Sequence, residues 1–252
     1  MLNYKRPKFW VFVFSIVIVA VITIGLISNS KDVEIIGSTD ETADKIIITQ
    51  KGFVLAESDR VTLYANNEKE GMYERITVLT KDNSKTFSWA NVTNQTYAPT
   101  INISDINNDD KDEVIIILTT GYGTNVLQQE IHILNMEDLT EINLQNPIET
   151  INKKVTSTIA KNESNVDVSI KWDGNVIEKR YNESDAGIWF DKVEFGSIIK
   201  YEIIAGKITV IVPGAVSPSE FPVTVLVEYG PDFEVDTITI KDWYVPAPRN
   251  CH

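Results

Sequence analysis

Cysteine and histidine are scarce in this sequence. It contains one cysteine, Cys251, and two histidines, His132 and His252, among 252 residues. A single cysteine cannot form an internal disulfide, and two distant histidines cannot supply the H-E-x-x-H zinc motif. The G-x-S-x-G motif of serine hydrolases does not occur either. The familiar nucleophile and zinc motifs are therefore excluded, and the sequence favours a non-catalytic function, although paired carboxylates of glycosidase type stay open.

Positive charge is also in short supply. The chain has 23 Lys and Arg against 36 Asp and Glu, and a formal net charge of −13. Without the three basic residues that precede Phe9, 20 basic residues face 36 acidic ones, a charge of −16. Such a surface repels nucleic acid and anionic lipid headgroups and favours solubility or cation binding. The apolar content of 43% excludes wholesale disorder.

One long apolar run, Phe9 to Ile27, stands near the N-terminus. In a helix it would span about 28 Å, close to the hydrocarbon thickness of a bilayer. It is longer than the apolar region of a signal peptide and lacks an A-x-A cleavage site, which favours an uncleaved anchor over a cleaved signal. Because Lys5, Arg6 and Lys8 precede it, the positive-inside rule predicts a cytoplasmic N-terminus and an extracytoplasmic C-terminal domain.

The segment Leu2 to Trp10, LNYKRPKFW, leads directly into this run. It resembles the start of the last transmembrane helix of Gram-positive antirepressor zinc metallopeptidases of the beta-lactam sensor-transducer type. That resemblance implies an extracytoplasmic sensor domain after the helix. Protease activity is not implied, because the zinc motif of the family does not occur.

From Ile46 onward the apolar residues alternate with a period of two, which is typical of half-buried strands. Val166, Val168, Ile170 and Trp172 are expected to share one face of a strand. Asp173-Gly174 then predicts a two-residue hairpin turn, and similar turns are predicted at 205–206 and 230–232. Short helical segments are predicted only at 136–142 and 147–153, the second capped by Asn146.

These patterns predict a mainly β fold: one N-terminal transmembrane helix followed by an antiparallel β-rich domain, sandwich-like or partial-propeller-like. A change in the residue pattern near Asn146 favours two β subdomains, although one continuous domain is an alternative. The predicted division is a cytoplasmic tip 1–8, an anchor 9–27, a stalk 28–45, a β subdomain 46–146 with an acidic loop, a second β subdomain 147–243 and a tail 244–252.

The acidic loop carries the most specific chemical signal. Asp105, Asn107, Asp109 and Glu113 occupy loop positions 1, 3, 5 and 9, and Lys111 offers its carbonyl at position 7. This spacing predicts a structural Ca²⁺ site. An EF-hand would have Gly at position 6 and Glu at position 12, where this chain has Asp110 and Ile116. The alternative is an Asx-rich turn whose carboxylates accept hydrogen bonds from their own backbone amides.

A continuous apolar run, Val114 to Leu118, follows the loop and predicts a strand that is buried on both faces. Loop and strand together resemble the calcium loops of FG-GAP and VCBS-type repeats of surface and adhesion proteins. No second copy occurs, so an arrayed propeller is not predicted. The expected function is a membrane-anchored sensor or ligand-binding domain with a membrane protein or cell-wall ligand as partner. The alternatives are a calcium-stabilised adhesion module and, with less support, an extracytoplasmic hydrolase.

Two further groups of residues bear on ligand binding. Strand alternation places His132 on the more polar face of its strand, beside Glu130, which predicts a solvated histidine. Four tryptophans are candidates to line a sugar or peptide groove, with core packing as the alternative; they are Trp89, Trp172, Trp189 and Trp243.

Overall fold

A computed structural model describes residues 32–36 and 47–242 of the chain, with side chains from residue 52 onward. Within these residues no helix has both the length and the apolar character needed to cross a bilayer. The anchor predicted at 9–27, Trp243 and the tail 244–252 lie outside the described residues.

The described residues are mainly β, as predicted. The first half contains strands β1 Asp32–Ile36, β2 Ile47–Lys51, β3 Phe53–Glu57, β4 Val61–Lys69, β5 Met72–Thr80, β6 Ser84–Thr86, β7 Ala90–Val92, β8 Thr100–Ser104, β9 Glu113–Gly123, β10 Val126–Asn135 and β11 Glu141–Ile142. The second half contains helix α1 Pro147–Lys154 and strands β12 Thr156–Lys161, β13 Asn165–Trp172, β14 Asn175–Asn182, β15 Glu194–Phe195, β16 Ile198–Ile204, β17 Lys207–Ala215, β18 Val223–Tyr229 and β19 Val235–Lys241. Two short 3₁₀ turns lie at Gln95–Tyr97 and Glu183–Asp185.

The central element is a nine-stranded sheet in the order β19-β18-β17-β16-β10-β9-β8, with β11 beside β10 and β15 beside β17. Three smaller sheets accompany it, formed by β1 and β2, by β3 to β7, and by β12 to β14. The only parallel pairing in the described chain joins β10 to β16. That pairing makes one sheet continuous across the boundary predicted near Asn146, and the division into subdomains stays a prediction.

Strand β9 separates two hydrophobic cores, because successive side chains of a strand point to opposite faces. Val114, Ile116 and Leu118 pack with the sheet of β3 to β7. Ile115 points to the other face and packs with residues of β12, β13 and β16 to β19. Val114, Ile115, Ile116 and Leu118 are at most 1% exposed. The predicted strand buried on both faces is therefore confirmed.

The predicted hairpins are present. In β13 the residues Val166, Val168 and Ile170 are buried on one face. Asp173 and Gly174 both have positive φ, 42° and 76°, as a two-residue turn of type I′ requires. Ala205 and Gly206 form the corresponding turn between β16 and β17, with φ of 51° and 76°.

One of the two predicted helical segments forms. Helix α1 begins after Asn146, whose side chain accepts a hydrogen bond from the Glu149 amide at 3.1 Å. The helix predicted at 136–142 is wrong, because this segment is a turn that leads into β11. There the Asn135 and Asp138 side chains accept hydrogen bonds from backbone amides two residues on, a geometry that competes with helix formation.

The segment predicted as a stalk, 28–45, contains strand β1, which pairs antiparallel with β2. Five residue pairs join the two strands, from Asp32 with Lys51 to Ile36 with Ile47. A regular strand therefore lies within that segment, and the stalk assignment of the residues around it stays a prediction.

Candidate functional site

The acidic loop connects β8 to β9 and contains two residues with left-handed backbone. Asn108 and Asp110 have φ of 62° and 66°. Asn and Asp tolerate this region better than other non-glycine residues, because their short polar side chains form local hydrogen bonds. Asp110 thus adopts the conformation for which an EF-hand uses glycine at position 6.

Backbone amides of the loop donate to its own side chains. The two carboxylate oxygens of Asp105 accept from the amides of Asp109 and Asp110, both at 3.0 Å. The Asn107 Oδ1 accepts from the Asp109 amide at 2.9 Å, and the Asp109 Oδ1 accepts from the Lys111 amide at 2.9 Å. These are the contacts of an Asx-rich turn.

The remaining polar atoms of three side chains converge inside the loop. The Asn107 Nδ2 lies 3.1 Å from the Asp109 Oδ2 and 3.4 Å from the Glu113 Oε1. Glu113 is only 1% exposed and also accepts from the Ile106 amide at 3.1 Å. Its burial raises the pKa of Glu113, and the nearby carboxylates of Asp109 and Asp105 raise it further. This buried carboxylate has no Lys or Arg partner within residues 52–242.

Two salt bridges connect the outside of the loop to its surroundings. The Arg60 Nη1 lies 2.8 Å from the Asp112 Oδ2, and the Lys111 Nζ lies 3.1 Å from the Glu137 Oε2. Asp112 is not one of the predicted ligands. The basic groups of Arg60 and Lys111 thus form their salt bridges at the periphery of the loop.

The structure brings four of the five predicted ligand residues into one hydrogen-bonded group, and Lys111 joins it through its amide. In the part of the chain that the structure describes, no group of three or more His, Cys, Asp and Glu side chains is arranged to hold a metal ion. The carboxylate oxygens of Asp105 face backbone amides instead. The calcium site therefore stays a prediction.

His132 is not the solvated residue that the strand pattern suggests. Its side chain is 12% exposed, and its ring stacks on Trp89 with ring centroids 3.8 Å apart. Trp89 in turn stacks on Phe87 at 3.8 Å. The His132 Nδ1 lies 2.7 Å from the Glu141 Oε1, and its Nε2 lies 3.7 Å from the Glu130 Oε2. Strand alternation missed this burial because Trp89 comes from a segment distant in sequence.

The described tryptophans belong to the cores. Trp89 and Trp189 are 8% and 7% exposed, and Trp172 packs at the margin of the larger core. The Trp189 indole N–H donates to the Glu183 carbonyl at 2.9 Å. Core packing therefore accounts for these three side chains.

A cleft that the sequence did not indicate lies among β10, β16 and the segment 141–148. Strands β10 and β16 pair only at Leu127 with Ile198 and at Gln128 with Ile199, and then they separate. We call this space, which has a volume of about 620 Å³, the strand cleft. Its lining includes Glu130, Ile131, His132, Glu141, Ile148, Ile199 and Tyr201. No lysine or arginine lines it.

Tyr201 lines the strand cleft, and its surroundings raise the pKa of its phenol. Burial raises its pKa to about 12, and the carboxylate of Glu130 contributes. Burial also raises the pKa of Tyr229, whose hydroxyl donates to the Gln145 carbonyl at 2.7 Å. Both phenols are thus held in the neutral form.

We expect the protein to lose stability in alkaline solution. The folded-state pKa of Tyr201 lies above the value of about 10 in an unfolded chain. Its stabilising contribution is therefore complete below pH about 10 and is lost as the pH rises toward 12, by about 2 to 3 kcal/mol. Guanidinium unfolding at a series of pH values measures this loss. Tyr201→Phe is expected to reduce it, and an equal alkaline loss in that variant would contradict the assignment.

Comparisons with protein-family models, with curated proteins and with solved structures found no match to this chain.

Proposed function

We propose that this chain is a membrane-anchored, extracytoplasmic sensor or ligand-binding domain of a Gram-positive-type bacterium, non-catalytic and stabilised by a structural calcium ion. The apolar run 9–27 and the basic residues before it support the anchor and its orientation. The resemblance of 2–10 to the last helix of sensor-transducer metallopeptidases supports the sensor role. The packing of smaller sheets on both faces of the large sheet favours a sandwich-like architecture over a partial propeller.

The observation that carries the calcium proposal is the convergence of Asn107, Asp109 and Glu113 on one point. In this arrangement the Asn107 amide nitrogen takes the place of a positive group between two carboxylates. The donor set fits Ca²⁺, because the ion prefers carboxylate, amide and carbonyl oxygens from a short loop. Asp105 and the Lys111 carbonyl would complete the set.

A bound calcium ion would neutralise the repulsion among these carboxylates and favour the ionised form of Glu113. Because Glu113 begins β9 and Asp105 follows β8, the loop residues would be held against the central strand of the fold. The Arg60 and Glu137 contacts extend this effect to the β3–β4 turn and to the segment after β10. The expected role is structural, with no part in catalysis.

Calcium is expected to raise the thermal midpoint of the full-length chain in detergent relative to the same protein in EDTA. An ion at 100 times its dissociation constant contributes about 2.7 kcal/mol. Asp105→Ala should abolish the calcium-dependent rise. Asp112→Ala is the matched control, because it removes a carboxylate from the same loop that is not a predicted ligand; it should keep the rise. Equal midpoints in calcium and EDTA would contradict the proposal.

The sensor role and the alternative of an adhesion module differ in their partners. A sensor is expected to contact a membrane protein, so crosslinking of the full-length chain in native membranes should capture one. An adhesion module should bind the cell wall instead. Capture of no membrane protein, together with binding of the purified chain to peptidoglycan, would overturn the sensor role.

A further inference from the structure

The edge of β16 that faces the strand cleft has no strand partner beyond Ile199 within residues 47–242. On the opposite edge, Lys200 to Ile204 pair antiparallel with β17. On the open edge, the Tyr201 amide donates to the side-chain Oε1 of Gln129 at 2.8 Å. Since the direction of backbone groups alternates along a strand, the Ile203 amide points the same way as the Tyr201 amide.

Gln129 thus occupies the place that a neighbouring strand would otherwise take. A glutamine side chain can satisfy one backbone amide, whereas an added strand would satisfy a row of amides and carbonyls. Unpaired strand edges bind extended peptides by this kind of strand addition. The length of the open edge, Lys200 to Ile204, suits a short peptide.

The negative charge of the strand cleft favours a peptide with basic side chains. Glu130 and Glu141 line it with side chains that are 54% and 44% exposed. The polar contact with His132 lowers the pKa of Glu130, although 3.7 Å is too long for a direct hydrogen bond. Glu141 also contacts His132, at 2.7 Å. With no lysine or arginine in the lining, the two carboxylates have only this imidazole as a basic neighbour in the cleft.

Apolar side chains complete the lining. Ile131 of β10, Ile148 of α1 and Ile199 of β16 line the same cleft as the two glutamates. An aliphatic side-chain stem can pack on such a surface while its charged end stays at the solvated carboxylates. A lysine side chain combines these two properties, a four-carbon stem and an ammonium group.

We propose that the strand cleft binds an extended, lysine-containing peptide segment, which adds to the open edge of β16 and places its ammonium groups at Glu130 and Glu141. This inference deepens the proposed function, on which it rests for the ligand-binding role, by giving the ligand a chemical class. It does not depend on the acidic loop, because no hydrogen bond or salt bridge within residues 52–242 joins Glu130 or Glu141 to that loop.

The test uses the full-length chain in detergent and the fluorescein-labelled peptide Ile-Lys-Ile-Lys-Ile with an amidated C-terminus, with binding followed by fluorescence anisotropy. The expected result is saturable binding that weakens about 3- to 5-fold in Glu130→Gln and in Glu141→Gln, as for solvated ion pairs. Glu178→Gln is the matched control, because it neutralises an exposed glutamate on β14; it should bind as the wild type does.

Two altered peptides separate the parts of the proposal. A peptide with glutamine in place of both lysines should bind more weakly. A lysine peptide in which all the backbone amide nitrogens are methylated should lose binding at least 10-fold, because this methylation removes the strand hydrogen bonds that the peptide donates and keeps the side-chain charge. No binding of the lysine peptide, equal binding of the glutamine peptide, or unchanged affinity in both cleft variants would overturn the proposal. Equal binding of the methylated peptide would overturn strand addition.

The calcium-dependent thermal midpoint is measured on the same samples. A normal midpoint shift without peptide binding would reject the cleft proposal and leave the calcium proposal standing. Peptide binding without a calcium-dependent midpoint shift would reject the calcium proposal and leave the cleft proposal standing. The same midpoints also establish that each glutamine variant is folded.

Discussion

Asn91→Ala is expected to lower the free energy of unfolding by about 3 kcal/mol. The Asn91 side chain is 1% exposed, and its Oδ1 accepts from the Thr119 amide at 2.7 Å. Its Nδ2 donates to the carbonyls of Val92 and Tyr97 at 2.7 and 3.0 Å. Alanine would leave these buried backbone groups unpaired, and each unsatisfied group costs about 1 to 3 kcal/mol. Urea unfolding followed by circular dichroism measures the loss.

The location of Asn91 explains the size of this effect. Strand β9 has an irregularity at Thr120, where its register with β10 shifts between Gln128 and Gln129. Asn91 satisfies the amide of the preceding residue and so joins β7 of the smaller sheet to β9 of the larger one. Asn94→Ala is the control: it removes a cap hydrogen bond at 3.0 Å and should cost about 1 kcal/mol. Equal losses in the two variants would contradict the proposed role of Asn91.

Ile115→Ala and Ile116→Ala are each expected to destabilise the protein by about 3 to 4 kcal/mol, although the two residues are neighbours with opposite orientations. In an ordinary surface sheet one of two adjacent strand residues faces water and tolerates alanine. Here Ile115 is 1% and Ile116 0% exposed, each in a different core. Each substitution therefore leaves a cavity in a separate core. Chemical unfolding of both variants measures the two losses.

Ile204→Ala is the control for this pair, because Ile204 ends β16 and is 48% exposed. Its loss should remain within about 1 kcal/mol, as for surface substitutions. A small effect in either β9 variant would show that the corresponding face of the strand is not closed by a packed layer.

Local signals in the sequence predicted much of the β structure. The hairpin at Asp173-Gly174 forms as expected, because a two-residue turn with positive φ depends on the residues of the turn itself. The same reasoning holds for α1, whose cap at Asn146 acts on an amide three residues away. The helix predicted at 136–142 does not form, and the reason is again local. Asx turns at Asn135 and Asp138 compete with the helix.

The candidate sites also differ in whether neighbouring residues or distant segments form them. The acidic loop could be predicted because its ligand spacing lies within nine consecutive positions, 105–113. The burial of His132 could not be predicted, since Trp89 and Glu141 reach it from other elements. The strand cleft arises only where β10 and β16, distant in sequence, pair for two residues and then separate.

By itself the sequence determined the β class, the main hairpins, the strand that is buried on both faces and the position of the acidic loop. These features depend on residue alternation and turn chemistry over a few neighbouring residues. The tertiary structure alone decided that β9 closes two cores and that Asn91 joins two sheets. It also decided that the edge of β16 without a strand partner in residues 47–242 lies at a cleft lined by two glutamates. Contacts between distant segments depend on how whole sheets pack, and no local pattern encodes that packing.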